Sequence, residues 1–172
     1  MHEIAHVLIA NRLGYEHENI IIRAYDAWAE IYLDNTPSRH QILIFVAGPI
    51  MNLILAIIAI AISYMLDIDL FKIITLRTAY LPLIISNLFW INFLLAISNM
   101  LPAYPLDGGR ILENILSYFT PAPGATYIAI YISLATGGFI MAIGYYISLY
   151  MIALFGAYII FSAHQSLKAI ND

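Results

Sequence analysis

Three long stretches without a charged residue constrain the fold of this chain more than any other feature. Residues 41–66, 78–106 and 114–167 contain no Asp, Glu, Lys or Arg. A helix that crosses a membrane needs about 20 predominantly apolar residues. Each of the first two stretches therefore fits one crossing, and the third is long enough for two. We expect four transmembrane helices.

The composition also favours a membrane protein. Of the 172 residues, 62% are hydrophobic and only 10% are charged, whereas about a quarter of the residues are charged in an ordinary soluble domain. The seven Lys and Arg residues form no basic stripe, which argues against nucleic acid as a partner. The chain has no cysteine, so disulfides, thiolate metal ligands and a cysteine nucleophile are excluded.

Turn-forming residues divide the chain into elements. Gly14 predicts the end of a first helix, and the segments IIIRAY and AEIYLD predict a β-hairpin after it. The loop LPAYPLDGG precedes a short helix, and we expect the last two crossings to divide near Gly144, with Gly137-Gly138 as a rival break. The predicted fold class is an all-α polytopic membrane protein, a helical bundle with a small β-hairpin between the first two helices.

The sequence HEIAH at residues 2–6 carries a possible metal site. On a helix, His2 and His6 are neighbours on one face, with about 5–6 Å between their Cβ atoms, so both can bind one cation. Two imidazoles and a carboxylate form a common catalytic zinc site that leaves room for water. Glu3 stands beside the histidines and can take a proton from that water. The pattern therefore indicates a zinc hydrolase.

The third metal ligand must come from elsewhere in the chain. A metzincin-type site is excluded, because Ile9 and Arg12 stand where that pattern requires Gly and His. Glu30 is the nearest downstream glutamate, but it lies among other charges expected at the surface. Asp107 is the favoured ligand, because the two glycines after it allow the backbone to turn sharply and approach another group closely. Its alternative role is a cap of the helix that follows.

Three separated motifs together resemble the site-2 protease family of intramembrane zinc metalloproteases. They are HEIAH at 2–6, AGPIMN at 47–52 and NMLPAYPLDGG at 99–109, and they occur in the family's order. The resemblance implies one zinc ion with three ligands and a general base. The ligands are His2, His6 and Asp107, and the base is Glu3.

The resemblance also draws attention to two asparagines. Asn99 matches a family position that positions substrate or stabilises the oxyanion. The hydrogen bond from an amide donor there strengthens as negative charge develops on the scissile carbonyl oxygen. Its alternative role is a cap at the end of its helix. Asn52 has a similar choice between a substrate contact and a hydrogen bond between helices, and the structural role is favoured.

The resemblance implies an endopeptidase that cleaves a membrane-anchored protein within or near its transmembrane segment, so that this substrate and the lipid bilayer are the partners. We expect a single membrane-embedded metalloprotease core over residues 1–172, without a separate soluble domain and lacking N-terminal residues of its first helix. We also expect an integral, multi-pass protein of a prokaryotic cell membrane. The placement of Lys and Arg favours an active site toward the cytoplasm.

Two other functions stay open at this point. The first is a catalytically weak or inactive membrane protein of the same fold that binds partners. The second is a metal transporter, but its spans would be expected to contain more ionisable residues than these charge-free stretches allow.

Overall fold

The computed structural model describes residues 1–15, 20–23, 28–31, 36–71 and 80–171. Helices account for most of this part of the chain, and two short strands lie between the first two of them. The elements are α1 His2–Arg12, β1 Ile20–Arg23, β2 Trp28–Ile31, α2 Ser38–Met65, α3 Tyr80–Asn99, α4 Asp107–Leu116, α5 Gly124–Tyr146 and α6 Tyr150–Asn171.

The helices α2, α3, α5 and α6 are long and apolar enough to cross a membrane. The shortest of them, α3, has 20 residues, which corresponds to about 30 Å of helix, the thickness of the hydrocarbon core. Large apolar side chains on these helices are exposed, for example Ile57 and Leu94. Such side chains suit a surface that faces lipid. The four crossings expected from the charge-free stretches are therefore present.

Helix α2 lies at the centre of one half of the bundle. It packs against α1, α3 and α4, while α5 packs against α4 and α6. Ala56, Ala59, Ile85 and Phe89 fill the contact between α2 and α3. Because α1 and α4 both lie on α2, the N-terminal motif and the residue that begins α4 are held against the same helix.

The boundary between the last two crossings lies close to the expected position near Gly144, and the rival break at Gly137-Gly138 is wrong. Helix α5 continues through Gly144 and ends at Tyr146, and Gly137 is also inside it. A Cβ at Gly144 would lie 2.8 Å from the backbone carbon of Ile152, and one at Gly137 would lie 2.9 Å from the carbonyl oxygen of Gly156. These glycines therefore allow α5 and α6 to pack closely, and neither breaks the helix.

The β component of the predicted fold class is corrected. Its all-α polytopic part agrees with the structure. The expected strands covered residues 20–25 and 29–34, whereas the pairing within the described residues joins β1 to β2 over four residues each. Residues 24, 25 and 32–34 lie outside the described part. One pair of four-residue strands is too small to form a layer of the fold, so the fold class is all-α.

Candidate metal centre

Helix α1 carries the two histidines of the N-terminal motif on one face. The ring centroids of His2 and His6 are 4.7 Å apart and the ring planes are inclined by 81°. His6 is buried, and His2 and Glu3 are partly exposed. Glu3 lies in the first turn of α1. The helix ends at Arg12, and Gly14 adopts a left-handed φ of 87°.

Asp107, the first residue of α4, lies against both histidines. Its Oδ2 is 3.0 Å from Nε2 of His2 and 3.6 Å from Nε2 of His6. One potential ligand atom from each of the three residues lies within 4.8 Å of the other two. The fold thus brings together, from distant parts of the sequence, the three side chains expected to bind a metal.

Glycines allow the backbone to approach this cluster closely. A Cβ at Gly48 of α2 would lie 2.6 Å from Nε2 of His2 and would also collide with the ring of His6. At the start of α4, a Cβ at Gly108 would collide with the carbonyl group of Leu101. Only residues without a side chain fit at these two positions.

Helix α2 also orients both imidazole rings. Nδ1 of His6 donates a hydrogen bond to the carbonyl oxygen of Ile44 over 2.6 Å. A carbonyl oxygen only accepts, so His6 carries a proton on Nδ1, and its neutral form has the lone pair of Nε2 directed toward Asp107. Nδ1 of His2 is 3.0 Å from Nδ2 of Asn52. Metal-binding histidines typically donate their second ring N–H to an acceptor, as His6 does here.

The environment of Asp107 favours a cation. Burial alone would raise the pKa of its carboxyl group, but the adjacent His2 and His6 hold that pKa below its usual value. Its Oδ2 is buried and faces Nε2 of both histidines. A buried carboxylate is costly unless a donor or a cation compensates it, and a metal ion bound between the three side chains would do so. Two imidazoles and a carboxylate are suitable ligands for zinc, so these residues fit a divalent ion.

Helix α5 anchors the loop that precedes Asp107. Tyr104 in this loop is buried, and its hydroxyl group donates a short hydrogen bond to the Glu113 carboxylate. The other oxygen of Glu113 accepts a hydrogen bond of 2.7 Å from Oγ1 of Thr126. The backbone N–H of Tyr104 donates to Oγ of Ser133 over 2.9 Å. These bonds connect the Asp107 loop, α4 and α5.

Electrostatics keeps the phenol of Tyr104 neutral. Burial, together with the nearby Glu113 carboxylate, raises the pKa of Tyr104 well above its usual value. The hydroxyl group therefore remains a hydrogen-bond donor. Glu113, Thr126 and Ser133 were not expected from the sequence to be supporting residues. The available signal was the position of Glu113, a carboxylate at the edge of the longest charge-free stretch, where an ionisable group needs a partner.

The two candidate asparagines lie in different surroundings. Asn99 is partly exposed in the last turn of α3, and its Nδ2 donates to the carbonyl oxygen of Leu95 in the same helix over 3.0 Å. That hydrogen bond is local to α3. Asn52 is only 2% exposed and faces His2. Asn52 therefore belongs to the surroundings of the metal centre. The side chain of Glu30 lies outside the described residues.

Comparisons with known proteins identify the family of this chain. The sequence model of peptidase family M50 matches residues 1–78 and 68–143. The zinc metalloprotease MJ0392 of Methanocaldococcus jannaschii is 32% identical over 117 residues, which cover 68% of this chain and 31% of that protein. The putative zinc metalloprotease YwhC of Bacillus subtilis is 26% identical over 140 residues, which cover 67% of this chain and 64% of that protein.

The chain spans about a third of the length of the first curated relatives, with 31% of MJ0392 and 29% of a putative zinc metalloprotease of Synechocystis covered. A solved structure, the site-2 protease from Methanocaldococcus jannaschii, superposes with a TM-score of 0.71 and 28% sequence identity, covering 96% of this chain and 71% of that one. With its four apolar helices, this chain is an integral multi-pass membrane protein. It belongs to peptidase family M50 and is a member of the site-2 protease family.

Proposed function

We propose that this chain is the core of a zinc-dependent intramembrane endopeptidase. The observation that carries the proposal is the convergence of His2, His6 and Asp107, whose ligand atoms lie within 4.8 Å of one another. The relatives that are named zinc metalloproteases support zinc as the metal. The cluster has the ligand set of a single ion.

The three side chains are arranged to bind the ion from two sides. His2 and His6 would bind through Nε2 from α1, and Asp107 would bind through Oδ2 from α4. Zinc held there supplies Lewis-acid chemistry, which polarises a carbonyl group and lowers the pKa of water toward about 7. The hydrogen bond from Nδ1 of His6 to Ile44 holds its ring in the orientation that this binding requires.

Glu3 is the proposed general base. It follows His2 directly in α1 and is partly exposed, so its carboxylate remains accessible to water. During peptide hydrolysis it would take a proton from the attacking water as the oxygen of that water bonds to the scissile carbonyl carbon. The carbon–nitrogen bond then breaks, and Glu3 would return the proton to the leaving amine.

The proposed substrate is a membrane-anchored protein, cut within or near its transmembrane segment. The metal centre lies between α1, α2 and α4, and α2 is one of the helices that can cross the membrane. A substrate helix hides its carbonyl groups in hydrogen bonds, so the segment must be locally unwound before cleavage. We further propose a prokaryotic cell membrane with the site toward the cytoplasm, where Arg39 at the start of α2 and Arg110 on α4 would lie.

Cleavage of a membrane-tethered reporter, measured together with zinc content, tests the proposal. Glu3→Gln should abolish cleavage and retain zinc, because it removes the base and leaves the ligands intact. Asp107→Ala should lose both zinc and cleavage. Asp69→Ala, which changes an exposed aspartate after α2, is the matched control and should behave as the wild type. Unchanged cleavage by Glu3→Gln, or a full zinc content in Asp107→Ala, would contradict the proposed mechanism.

A further inference from the structure

We infer that Asn52 is a positioning residue for His2, and that its carboxamide group holds Nδ1 of the His2 ring so that Nε2 faces the metal. The inference rests on the metal site proposed above. Nδ2 of Asn52 lies 3.0 Å from Nδ1 of His2, and Asn52 is 2% exposed. A buried amide inside an apolar helix is costly unless it is hydrogen-bonded, and His2 is the partner that the structure gives it.

Three residues on one face of α2, about one helical turn apart, contact the metal centre. Ile44, Gly48 and Asn52 are separated by four residues each and therefore lie on the same face of the helix. The carbonyl group of Ile44 holds His6, and Gly48 leaves room for both rings. Asn52 completes this face by holding His2. The other buried asparagines among the described residues, Asn92 and Asn114, bond to groups outside the ligand set.

The two histidines have partners of different chemistry. A backbone carbonyl, as at Ile44, only accepts, so it allows His6 one arrangement of protons. A carboxamide contains both a donor and an acceptor. As placed, Nδ2 of Asn52 donates to Nδ1 of His2, and a neutral imidazole then carries its proton on Nε2, the atom that faces Asp107.

Metal binding through Nε2 of His2 requires the opposite arrangement, with the proton on Nδ1. Rotation of the Asn52 carboxamide by about 180° then presents Oδ1, which accepts from Nδ1–H. Asn52 can therefore hold the ring in either proton arrangement. An aspartate at this position could only accept, so it would hold His2 in the metal-binding arrangement alone.

Two substitutions of similar size separate this role from simple packing. Asn52→Leu keeps most of the volume but removes the hydrogen bond, and it should weaken zinc binding by about 10- to 100-fold, as the loss of such partners typically does. Asn52→Asp restores an acceptor for Nδ1–H, and its zinc affinity should equal or exceed that of the wild type. Asn92→Leu is the matched control, because Asn92 is also buried but bonds to the carbonyl group of Leu88 in its own helix.

Zinc affinity would be measured by competition with a chelator on the full chain in detergent micelles, and the visible spectrum of the Co²⁺-loaded protein would report ligand geometry. We expect Asn52→Asp to bind zinc at least as tightly as the wild type, and Asn92→Leu to bind it as tightly as the wild type. Asn52→Leu should bind zinc much more weakly and should have an altered Co²⁺ spectrum. If Asn52→Leu does not fold, as judged by circular dichroism, Asn52→Ala replaces it with the same expectation. Wild-type affinity in the folded Leu or Ala variant would overturn the inference, as would an aspartate variant as weak as the leucine variant.

His2→Ala separates this inference from the proposed metal site. If His2→Ala binds zinc as tightly as the wild type, the proposed ligand set is wrong. If His2→Ala is weak while Asn52→Leu is normal, only the role of Asn52 is wrong. If both inferences hold, Asn52→Leu should weaken zinc binding no further in the His2→Ala background, because its effect acts through the His2 ring.

Discussion

Gly48 of α2 lies directly against His6 of α1, so closely that a Cβ at position 48 would collide with Nε2 of the imidazole. The backbone of α2 therefore forms one wall of the metal centre. The same hypothetical Cβ would lie 2.6 Å from Nε2 of His2. A single position on α2 thus limits the space around both histidine ligands.

Gly48→Ala should therefore disrupt the metal centre. The added methyl group must displace the rings of His2 and His6 or push α2 away from α1, and either movement separates the ligands from Asp107. We expect zinc affinity to fall at least about tenfold, in the range found when support for metal ligands is lost. Competition with a chelator measures this change, and cleavage of a tethered reporter should fall with it.

Gly138→Ala is the control for this substitution. Gly138 is also a helical glycine, but a Cβ there meets nothing within 4 Å, and alanine favours a helix more than glycine does. Zinc affinity should remain at the wild-type value in this variant. Equal affinities for Gly48→Ala and Gly138→Ala would show that α2 does not confine the rings as the structure indicates.

Zinc should also stabilise the folded chain. A ligand that binds only the native state stabilises it by about 2.7 kcal/mol when its concentration is 100 times its Kd. A chelator should therefore lower the melting temperature of the wild type in detergent. Asp107→Ala should start from a lower value and respond little to the chelator.

Glu3→Gln distinguishes the base from the ligands in the same measurement. Its melting temperature should respond to the chelator as the wild type does, because the proposed ligands are intact. A chelator response retained in Asp107→Ala, or lost in Glu3→Gln, would require the roles of these two carboxylates to be reassigned.

The loop before Asp107 should depend on the hydroxyl group of Tyr104. Tyr104→Phe removes the donor to Glu113 and leaves this carboxylate with weaker compensation for its burial. Loss of a buried hydrogen bond of this kind typically costs about 1–3 kcal/mol. Denaturant-induced unfolding should show a loss of this size, and zinc affinity should also fall because the loop leads directly into Asp107. Tyr131→Phe, which changes an exposed tyrosine of α5, should leave both quantities unchanged.

The sequence predicted the membrane crossings well, because they depend on local composition. The absence of charge over a stretch long enough to span a bilayer is visible without knowledge of any neighbour. The end of α5 was located to within a few residues, near Gly144, but Gly137-Gly138 could not be excluded as the break. Gly137 is packed against α6, and a glycine at a close helix contact looks the same in a sequence as a glycine that ends a helix.

The sequence predicted the candidate metal ligands but not the groups that hold them in place by hydrogen bonds. His2, His6 and Asp107 have side chains that bind metals, so their chemistry suggested them directly. The acceptor for His6 is a backbone carbonyl, that of Ile44, and no residue type indicates it. The hydrogen bond from Thr126 to Glu113 depends on how α4 and α5 pack, which the separation along the sequence does not determine.

Ser133→Ala, a substitution at a buried position of α5, should destabilise the folded chain. Oγ of Ser133 is fully buried, accepts the N–H of Tyr104 over 2.9 Å and donates to the carbonyl group of Ala129 over 2.7 Å. Removing it leaves the N–H of Tyr104 buried without that acceptor, which should cost about 1–3 kcal/mol of the free energy of unfolding. The loop that carries Asp107 would lose one of its attachments to α5, so zinc affinity should fall in parallel.

Ser166→Ala is the control, because Oγ of Ser166 bonds within its own helix, to the carbonyl group of Ser162 over 3.2 Å. Its free energy of unfolding should change by less than about 0.5 kcal/mol. If Ser133 only bonded within α5, Ser133→Ala would show the same small change in the free energy of unfolding as Ser166→Ala. A larger loss in Ser133→Ala, together with weaker zinc binding, is expected only if α5 holds the Asp107 loop through the backbone of Tyr104.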